Sequence, residues 1–474
     1  MSLELKPIVR FLLLPGEVEC IDKYEVEGLY GVCITPNREY LIYDKILAER
    51  GLGELEKSVQ DLLRSVITRG ERELSRIIER ADLTVKHILE RQFFGYGVVE
   101  PFMLDDNVID VHILSNKPIR ITHRRHGELD TRIILSEEEL KELVLRLSTL
   151  AGKVISEATP LASFIEPRYE TRVSVVYYSD VTLRRGLTVD IRKQPKRPWS
   201  ILKLIDVKTL TPEEVAFLWL VVKYKIPVMI VGEMMSGKTT LATAILNLIP
   251  PKSKVITIED TPEIRLCTPY WTRTTTRESL ENPVTVFSLL RVAVRLSVDY
   301  VVVGEVRGEE ARDWAQAILL GHGAVTTFHA DSPQSALLRL TTPPISVNPQ
   351  ALRMLNVFVK MIPFRREVSL ERRAEIYVYD EEKLIPLYTY DPVKDMVIRN
   401  PSVEGPIRKF SFFKRASLAH GISIEDLERE YECMNKIISE IYSEAKSRDP
   451  SLDKPDICEL SDLLYRRLHE AGFY

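Results

Sequence analysis

The sequence predicts an α/β protein built around a parallel sheet, with a smaller α+β domain before it and a helical extension after it. Three observations lead there. Between residues 198 and 365, short apolar runs such as Val228-Met-Ile-Val231 and Tyr300-Val-Val-Val303 alternate with helical patterns, the spacing of strands joined by crossover helices. Between 91 and 197, brief β-like runs surround one helical segment. From 366 to 474 come two β-like runs and then two helices with polar faces.

At 474 residues the chain is too long for one ordinary core, and two or three domains are expected. Residues 1 to 90 form an N-terminal extension whose first 55 or so residues give no clear pattern. From Val59 to Phe94, apolar residues recur every three or four positions, which predicts amphipathic helices bent or broken near Gly70 and Asp82. In the α+β domain, Ile109–Leu114, Ile119–His123, Val173–Tyr178 and Leu187–Ile191 read as strands and Glu138–Ala151 as a helix. Lys193-Gln-Pro-Lys-Arg-Pro198 reads as a linker. Beyond Arg365, Ala374–Tyr379 and Leu384–Tyr390 are β-like, and Ser423-Ile-Glu-Asp426 has the pattern of a capping box opening a helix. The helices of the last fifty residues are expected to pack on the core, with a regulatory role as the alternative.

Composition narrows the function classes. A net charge of -4 leaves no overall basic footprint for nucleic acid, which is not expected as a partner. No apolar run approaches the roughly 20 residues that span a bilayer. The longest, Val215–Val222, stops at Lys223, and Met1–Arg10 lacks a signal-peptide pattern, so a cytoplasmic protein reaching the membrane only through partners is expected. The five cysteines (Cys20, Cys33, Cys267, Cys433 and Cys458) show no C-x-x-C spacing; reduced, mostly buried thiols and no zinc are expected.

The chemistry concentrates between Gly232 and His329. Gly232-Glu-Met-Met-Ser-Gly237-Lys238-Thr239-Thr240 fits G-x-x-x-x-G-K-[ST], with an apolar strand before it and the helix former run Leu241–Leu248 after it. Gly232 and Gly237 let the backbone curl so that the N–H groups around Ser236, Lys238, Thr239 and Thr240 face phosphate oxygens, with the helix N-terminus behind them. Lys238 would reach the β- and γ-phosphates of ATP, and the Thr239 hydroxyl would bind Mg²⁺. Three more apolar strands end in reactive residues: Val255–Ile258 in Glu259-Asp260, Tyr300–Val303 in Gly304-Glu305-Val306-Arg307, and Ala324–Phe328 in His329. Ligands gather at the carboxyl ends of parallel strands, so four such ends argue for one shared site.

Glu305 is the candidate for positioning or deprotonating water, or for holding Mg²⁺ through water; the alternative is a structural ion pair with Arg307. Glu259 and Asp260 could instead serve as a helix cap or a solvated turn. His329 could report a γ-phosphate, or be a structural histidine.

These segments, in this order, resemble the ATPase superfamily of type II and type IV secretion, type IV pilus assembly and the archaeal motility filament. Thr257-Ile-Glu-Asp-Thr-Pro-Glu263 resembles the family's Asp box, Asp299–Gly308 its Walker B segment and Gly321–Asp331 its His box. Tyr96-Gly-Val-Val-Glu-Pro-Phe102, Gly186 and Ile191-Arg-Lys193 resemble its N-terminal domain, while Pro251 and Glu263-Ile-Arg-Leu266 point to its archaeal branch. The likeness covers roughly residues 90 to 365.

It implies a RecA-like P-loop ATPase core, a PAS-like N-terminal domain and a homo-hexamer driving a polytopic membrane platform protein. It also implies arginines reaching a neighbour's nucleotide, for which Arg172, Arg185, Arg192 and Arg307 are candidates; surface or ion-pair roles are the alternative. Three departures stand out: Glu233-Met-Met in place of small loop residues, an expected brake on hydrolysis or a change in loop packing; Ser297-Val-Asp299 in place of Arg-Pro-Asp; and no tetracysteine insertion. The expected function is ATP-driven filament assembly or protein secretion. A nucleic-acid translocating or conjugation-type ATPase and a non-hydrolysing nucleotide-binding scaffold are the rivals.

Overall fold

The computed structural model describes residues 12, 18–45, 83–93, 95–177, 186–194, 198–277, 283–366, 369–452 and 455–473. The helices expected over 59–82 and the candidate Arg185 lie outside the described residues. The chain divides into two compact units, Met1–Lys196 and Arg197–Tyr474.

In the first unit, β1 (Asp22–Val26), β2 (Tyr30–Ile34) and β3 (Tyr40–Asp44) form a small antiparallel sheet. The helices α1 (Leu83–Phe93) and α2 (Glu100–Leu104) lead into β4 (Val108–Leu114), β5 (Pro118–His123) and β6 (Gly127–Ile134). After them come α3 (Glu137–Leu150), β7 (Leu161–Glu166), β8 (Thr171–Val176) and β9 (Thr188–Arg192). The six strands pair in the order β6-β5-β4-β9-β8-β7, all antiparallel. The alternation of Val111, Ile113, Ile119, Ile121, Val173, Val175, Val189 and Ile191 buries one face of this sheet. Helix α3 covers that face through Leu140, Leu143, Val144 and Leu147, and starts at a capping box between Ser136 and Glu139. Strands β6 and β7 carry few buried apolar residues, which is why periodicity passes over them.

The second unit opens with α4 (Ile201–Asp206), α5 (Pro212–Lys223), β10 (Val228–Val231) and α6 (Lys238–Leu246). It continues through β11 (Val255–Glu259), β12 (Trp271–Thr275), α7 (Val286–Ala293), β13 (Tyr300–Val306), α8 (Glu310–Leu319) and β14 (Gly323–Phe328). Next are α9 (Pro333–Thr341), α10 (Pro349–Leu352), β15 (Val357–Arg366), β16 (Ser369–Asp380), β17 (Lys383–Asp391) and β18 (Met396–Arg399). The chain closes with α11 (Pro406–Lys409), α12 (Ser411–His420), α13 (Ile424–Arg448) and α14 (Ile457–Glu470).

One nine-stranded sheet runs through this unit in the order β12-β11-β13-β14-β10-β15-β16-β17-β18. Its first six strands are parallel and the last three add antiparallel. The strands read after Arg365 are thus a continuation of the same sheet.

The run that most resembled a membrane segment becomes α5. Val215–Val222 are buried all round, as expected of a helix apolar on every side in the middle of a packed core. Helices α13 and α14 cover it with Leu427, Met434, Ile438, Leu464 and Leu468, and α13 begins at the Ser423–Asp426 capping box. Among the described residues, no helix is long and apolar enough to cross a membrane.

The cysteine expectation is corrected. Cys20 bonds to Cys33 and Cys267 to Cys458, leaving Cys433 free; of the five only Cys33 is fully buried. Residues 191 apart in sequence meet through the fold, which spacing alone does not reveal.

Candidate nucleotide site

Parallel register sets the four strand ends on one edge. Val231 lies opposite Phe328, Val303 opposite Thr326, and Ile258 opposite Val303. Strand order then places Glu259, Glu305, His329 and the glycine loop side by side.

The loop runs from β10 into α6. Gly237, at the N-cap of α6, has φ of +91°, a conformation that L side chains rarely adopt. Ser236 is buried and its hydroxyl has no hydrogen-bond partner. Lys238 is buried too and folds back on its own loop, donating to the carbonyls of Gly232 (3.0 Å) and Glu233 (2.7 Å). Burial lowers its pKa against the opposing pull of Glu305. Thr239 is half-buried in the first turn of α6, while Thr240, Met234 and Met235 are exposed.

From Lys238 a chain of contacts crosses the strand ends. Its Nζ lies 3.4 Å from His329 Nδ1, His329 Nε2 lies 2.7 Å from Glu305 Oε1, and Arg307 donates to Glu305 Oε2 at 2.7 Å. The His329–Glu305 approach is close without being an aligned hydrogen bond, since Oε1 has no hydrogen-bond partner. Burial acts to raise the Glu305 pKa, but the Arg307 hydrogen bond and the charges of His329, Arg307 and Lys238 hold it below the ordinary carboxylate value. Burial, helped by Lys238, lowers the His329 pKa, so the ring is neutral at pH 7. A proton on Nε2 then suits both neighbours: Nδ1 faces an ammonium and Nε2 a carboxylate.

Glu259 sits differently. It is buried, with Oε1 accepting from the backbone N–H groups of Glu263 (2.8 Å) and Ile264 (2.9 Å). Its Oε2 has no partner, and burial raises the pKa to about 7 against those two hydrogen bonds. Gly304 makes room for it, since a Cβ there would stand 2.9 Å from Glu259 Cγ. Asp260 is exposed and accepts from Thr276.

The predicted arginines separate. Arg307 is engaged by Glu305 within its own chain. In the first unit, Arg192 donates to Asp110 (2.8 Å) and Arg172 to Ser163 (3.2 Å); both line an open cavity of 470 Å³ over the six-stranded sheet. His322, between Gly321 and Gly323, meets the Val298 carbonyl at 2.8 Å, a structural contact.

Two arginines escaped the sequence reading. Arg339 donates to the His329 carbonyl and lies over the Phe328 ring, and Arg372 from β16 lies against the loop. A basic residue one helix after the His329 strand would have pointed to the first; nothing local points to the second. Among the described residues no His, Cys, Asp and Glu cluster could hold a metal ion.

A glycine loop between the central strand and its helix, with a lysine, a histidine and carboxylates along the same sheet edge, defines a RecA-like P-loop protein. The chain belongs to the type II/IV secretion system protein family, whose profile matches residues 103–362. It is 31% identical over 441 residues to the uncharacterized protein MJ0900 of Methanocaldococcus jannaschii, covering 85% of this chain and 78% of that one. It is 39% identical over 183 residues to the type IV secretion system protein PtlH of Bordetella pertussis, covering 33% of this chain and 53% of that protein. Among solved structures, the VirB11 ATPase of the Brucella suis type IV secretion system, determined with sulphate, is 23% identical, covers 59% of this chain and 92% of its own, and has a TM-score of 0.30.

Proposed function

We propose that this chain hydrolyses ATP and, as a homo-hexamer, powers assembly of a type IV pilus-like filament or protein secretion by pushing on a polytopic membrane platform protein from the cytoplasmic side. The observation that carries the reading is the chain of contacts from Lys238 through His329 to Glu305, set at the carboxyl edge of a parallel sheet. The loop fits a nucleotide's phosphates: Ser236 offers a buried hydroxyl without a partner, and Lys238 rests on carbonyls that a triphosphate would displace. Thr239 and, through water, Glu305 would hold Mg²⁺. When bound, that ion supplies charge neutralisation on the β- and γ-phosphates.

Glu305 is the better water-orienting residue. It is ionised at neutral pH and feels the charge of Lys238, whereas Glu259 keeps its proton to about pH 7 and spends one oxygen on the turn after β11. His329, between Lys238 and Glu305, is placed to change partners when a γ-phosphate draws Lys238 away. Membership of a secretion family supports the mechanical role.

The test is ATP turnover of the purified chain against Lys238→Ala across protein concentrations, with and without single-stranded DNA. Turnover that climbs steeply with concentration, ignores DNA and vanishes in the variant is expected. DNA stimulation would favour a nucleic-acid motor, and nucleotide binding without turnover at any concentration a scaffold.

A further inference from the structure

Strands β15 and β16 form a hairpin on the side of the loop away from Glu305 and His329. Val231, the last residue before the loop, is opposite Lys360 of β15, and Pro363, three residues on, is opposite Arg372 of β16. That register carries Arg372 beyond the carboxyl edge of β10, level with the loop. Alternation sends Arg372 to the same face as Ala374 and Ile376, which share a core with Leu241 and Ala242 of α6.

Its stem lies across Gly237, where a Cβ would stand 3.0 Å from Arg372 Cδ and 3.3 Å from its Nε. Its Nη2 donates to the Met235 carbonyl at 3.2 Å, and its Nε is buried with no partner.

The neighbouring residue shows what is unusual here. Arg373, on the opposite face, is 2% exposed and ion-paired with both Glu371 and Asp395. Among the described residues no carboxylate pairs with Arg372, and burial alone lowers its pKa. A half-buried guanidinium with an idle N–H and no counter-anion costs free energy unless something anionic arrives.

We propose that Arg372 is a nucleotide-binding residue supplied by the same chain, its guanidinium taking oxygens at the α,β end of the phosphate chain while Lys238, His329 and Glu305 attend the γ end. This rests on the nucleotide reading of the loop and adds a second cation on its far side. An arginine suits the task because its planar fork can bridge two phosphate oxygens. The contact uses phosphates common to ATP and ADP, so it holds the nucleotide through the cycle and does not sense hydrolysis.

The experiment is equilibrium binding of fluorescent ADP and a non-hydrolysable ATP analogue, with Mg²⁺, to the full chain, alongside thermal unfolding with and without ADP. Arg372→Met is expected to weaken both nucleotides alike, by roughly ten- to a hundredfold, from loss of a charge-assisted hydrogen bond. It should leave the unfolding midpoint of the nucleotide-free protein unchanged or higher while shrinking the rise produced by ADP. Arg372→Lys keeps the charge without the fork; it should fall between and gives the measurement if the Met variant does not fold.

Wild-type affinity in both variants would overturn the proposal, as would a loss confined to the ATP analogue. A lower nucleotide-free midpoint with an undiminished ADP-induced rise would also overturn it, reducing Arg372 to a loop support. Wild-type protein that binds neither nucleotide, or binds them equally well in Lys238→Ala, would sink the nucleotide site itself.

Discussion

The ends of β11 and β13 lie side by side, with Ile258 opposite Val303, and each delivers a glutamate to the same edge of the sheet. Around Glu305 stand Arg307, His329 and Lys238, and the carboxyl is held ionised. Around Glu259 stand two backbone N–H groups and the opposing charges of Arg273 and Glu263, and burial outweighs them to keep it protonated to about pH 7. Two glutamates one register step apart, Glu259 beside Gly304 and Glu305 one residue further on, therefore differ in charge state. The cause is what the neighbouring strand ends supply: β14 brings His329 to Glu305, while Glu259 meets only the bare backbone of Gly304 on β13. Strand-end position nominates a catalytic carboxylate; its surroundings choose between two.

Replacement of Glu305 should do the most. Glu305→Gln is expected to lower turnover by roughly 10²- to 10⁴-fold while leaving ATP binding in place. The comparison would break if Glu259→Gln gave the larger loss.

The pH profile sharpens it. With Glu305 as the working carboxylate, turnover should stay level from pH 8 down past 6, since its pKa lies below the ordinary value. A limb near pH 7 that disappears in Glu259→Gln would transfer the role.

Stability gives a third comparison. Native Glu259 holds its proton to about pH 7, while an unfolded glutamate releases it near 4.5. The folded state thus binds more protons in that window, and stability falls as pH rises through it, then levels off. The loss is on the order of 3 kcal/mol relative to Glu259→Gln, measured as the difference between their denaturant midpoints at pH 5 and pH 8.

The smallest effect is expected from Arg307→Ala. Its exposed guanidinium helps hold Glu305 ionised, so its loss should raise the acid limit of turnover while changing the rate at pH 8 by less than about fivefold. A much larger drop confined to high protein concentration would instead indicate that Arg307 works on a neighbour's nucleotide.

Much of this site is local in sequence. The glycine loop, Glu259, Glu305 and His329 each lie directly after an apolar run, and because parallel strands share a direction, reading their ends reads the edge. Arg372 was not legible, because its contact with Met235 spans 137 residues and depends on the β15–β16 register. The Glu259–Glu305 distinction was equally hidden: one pKa is set by burial against the turn to Ile264, the other by burial against Arg307 and charges that include a histidine and a lysine from other strand ends. Strands β6 and β7 escaped because few of their residues are both buried and apolar. The outer sheet strands were visible as β-like runs, but pattern alone does not say which sheet a strand joins.

The Cys267–Cys458 bridge alters what a broken chain would be. A peptide bond cut anywhere between those residues, through β13, the β15–β16 hairpin or α13, leaves two pieces still joined by a covalent tether. Such a nicked molecule would run as one species on a non-reducing gel and separate only once a reductant opened the bridge. Damage to this stretch of chain therefore need not release its end, and α14 stays moored to the segment that follows β11 after the backbone between them has been severed.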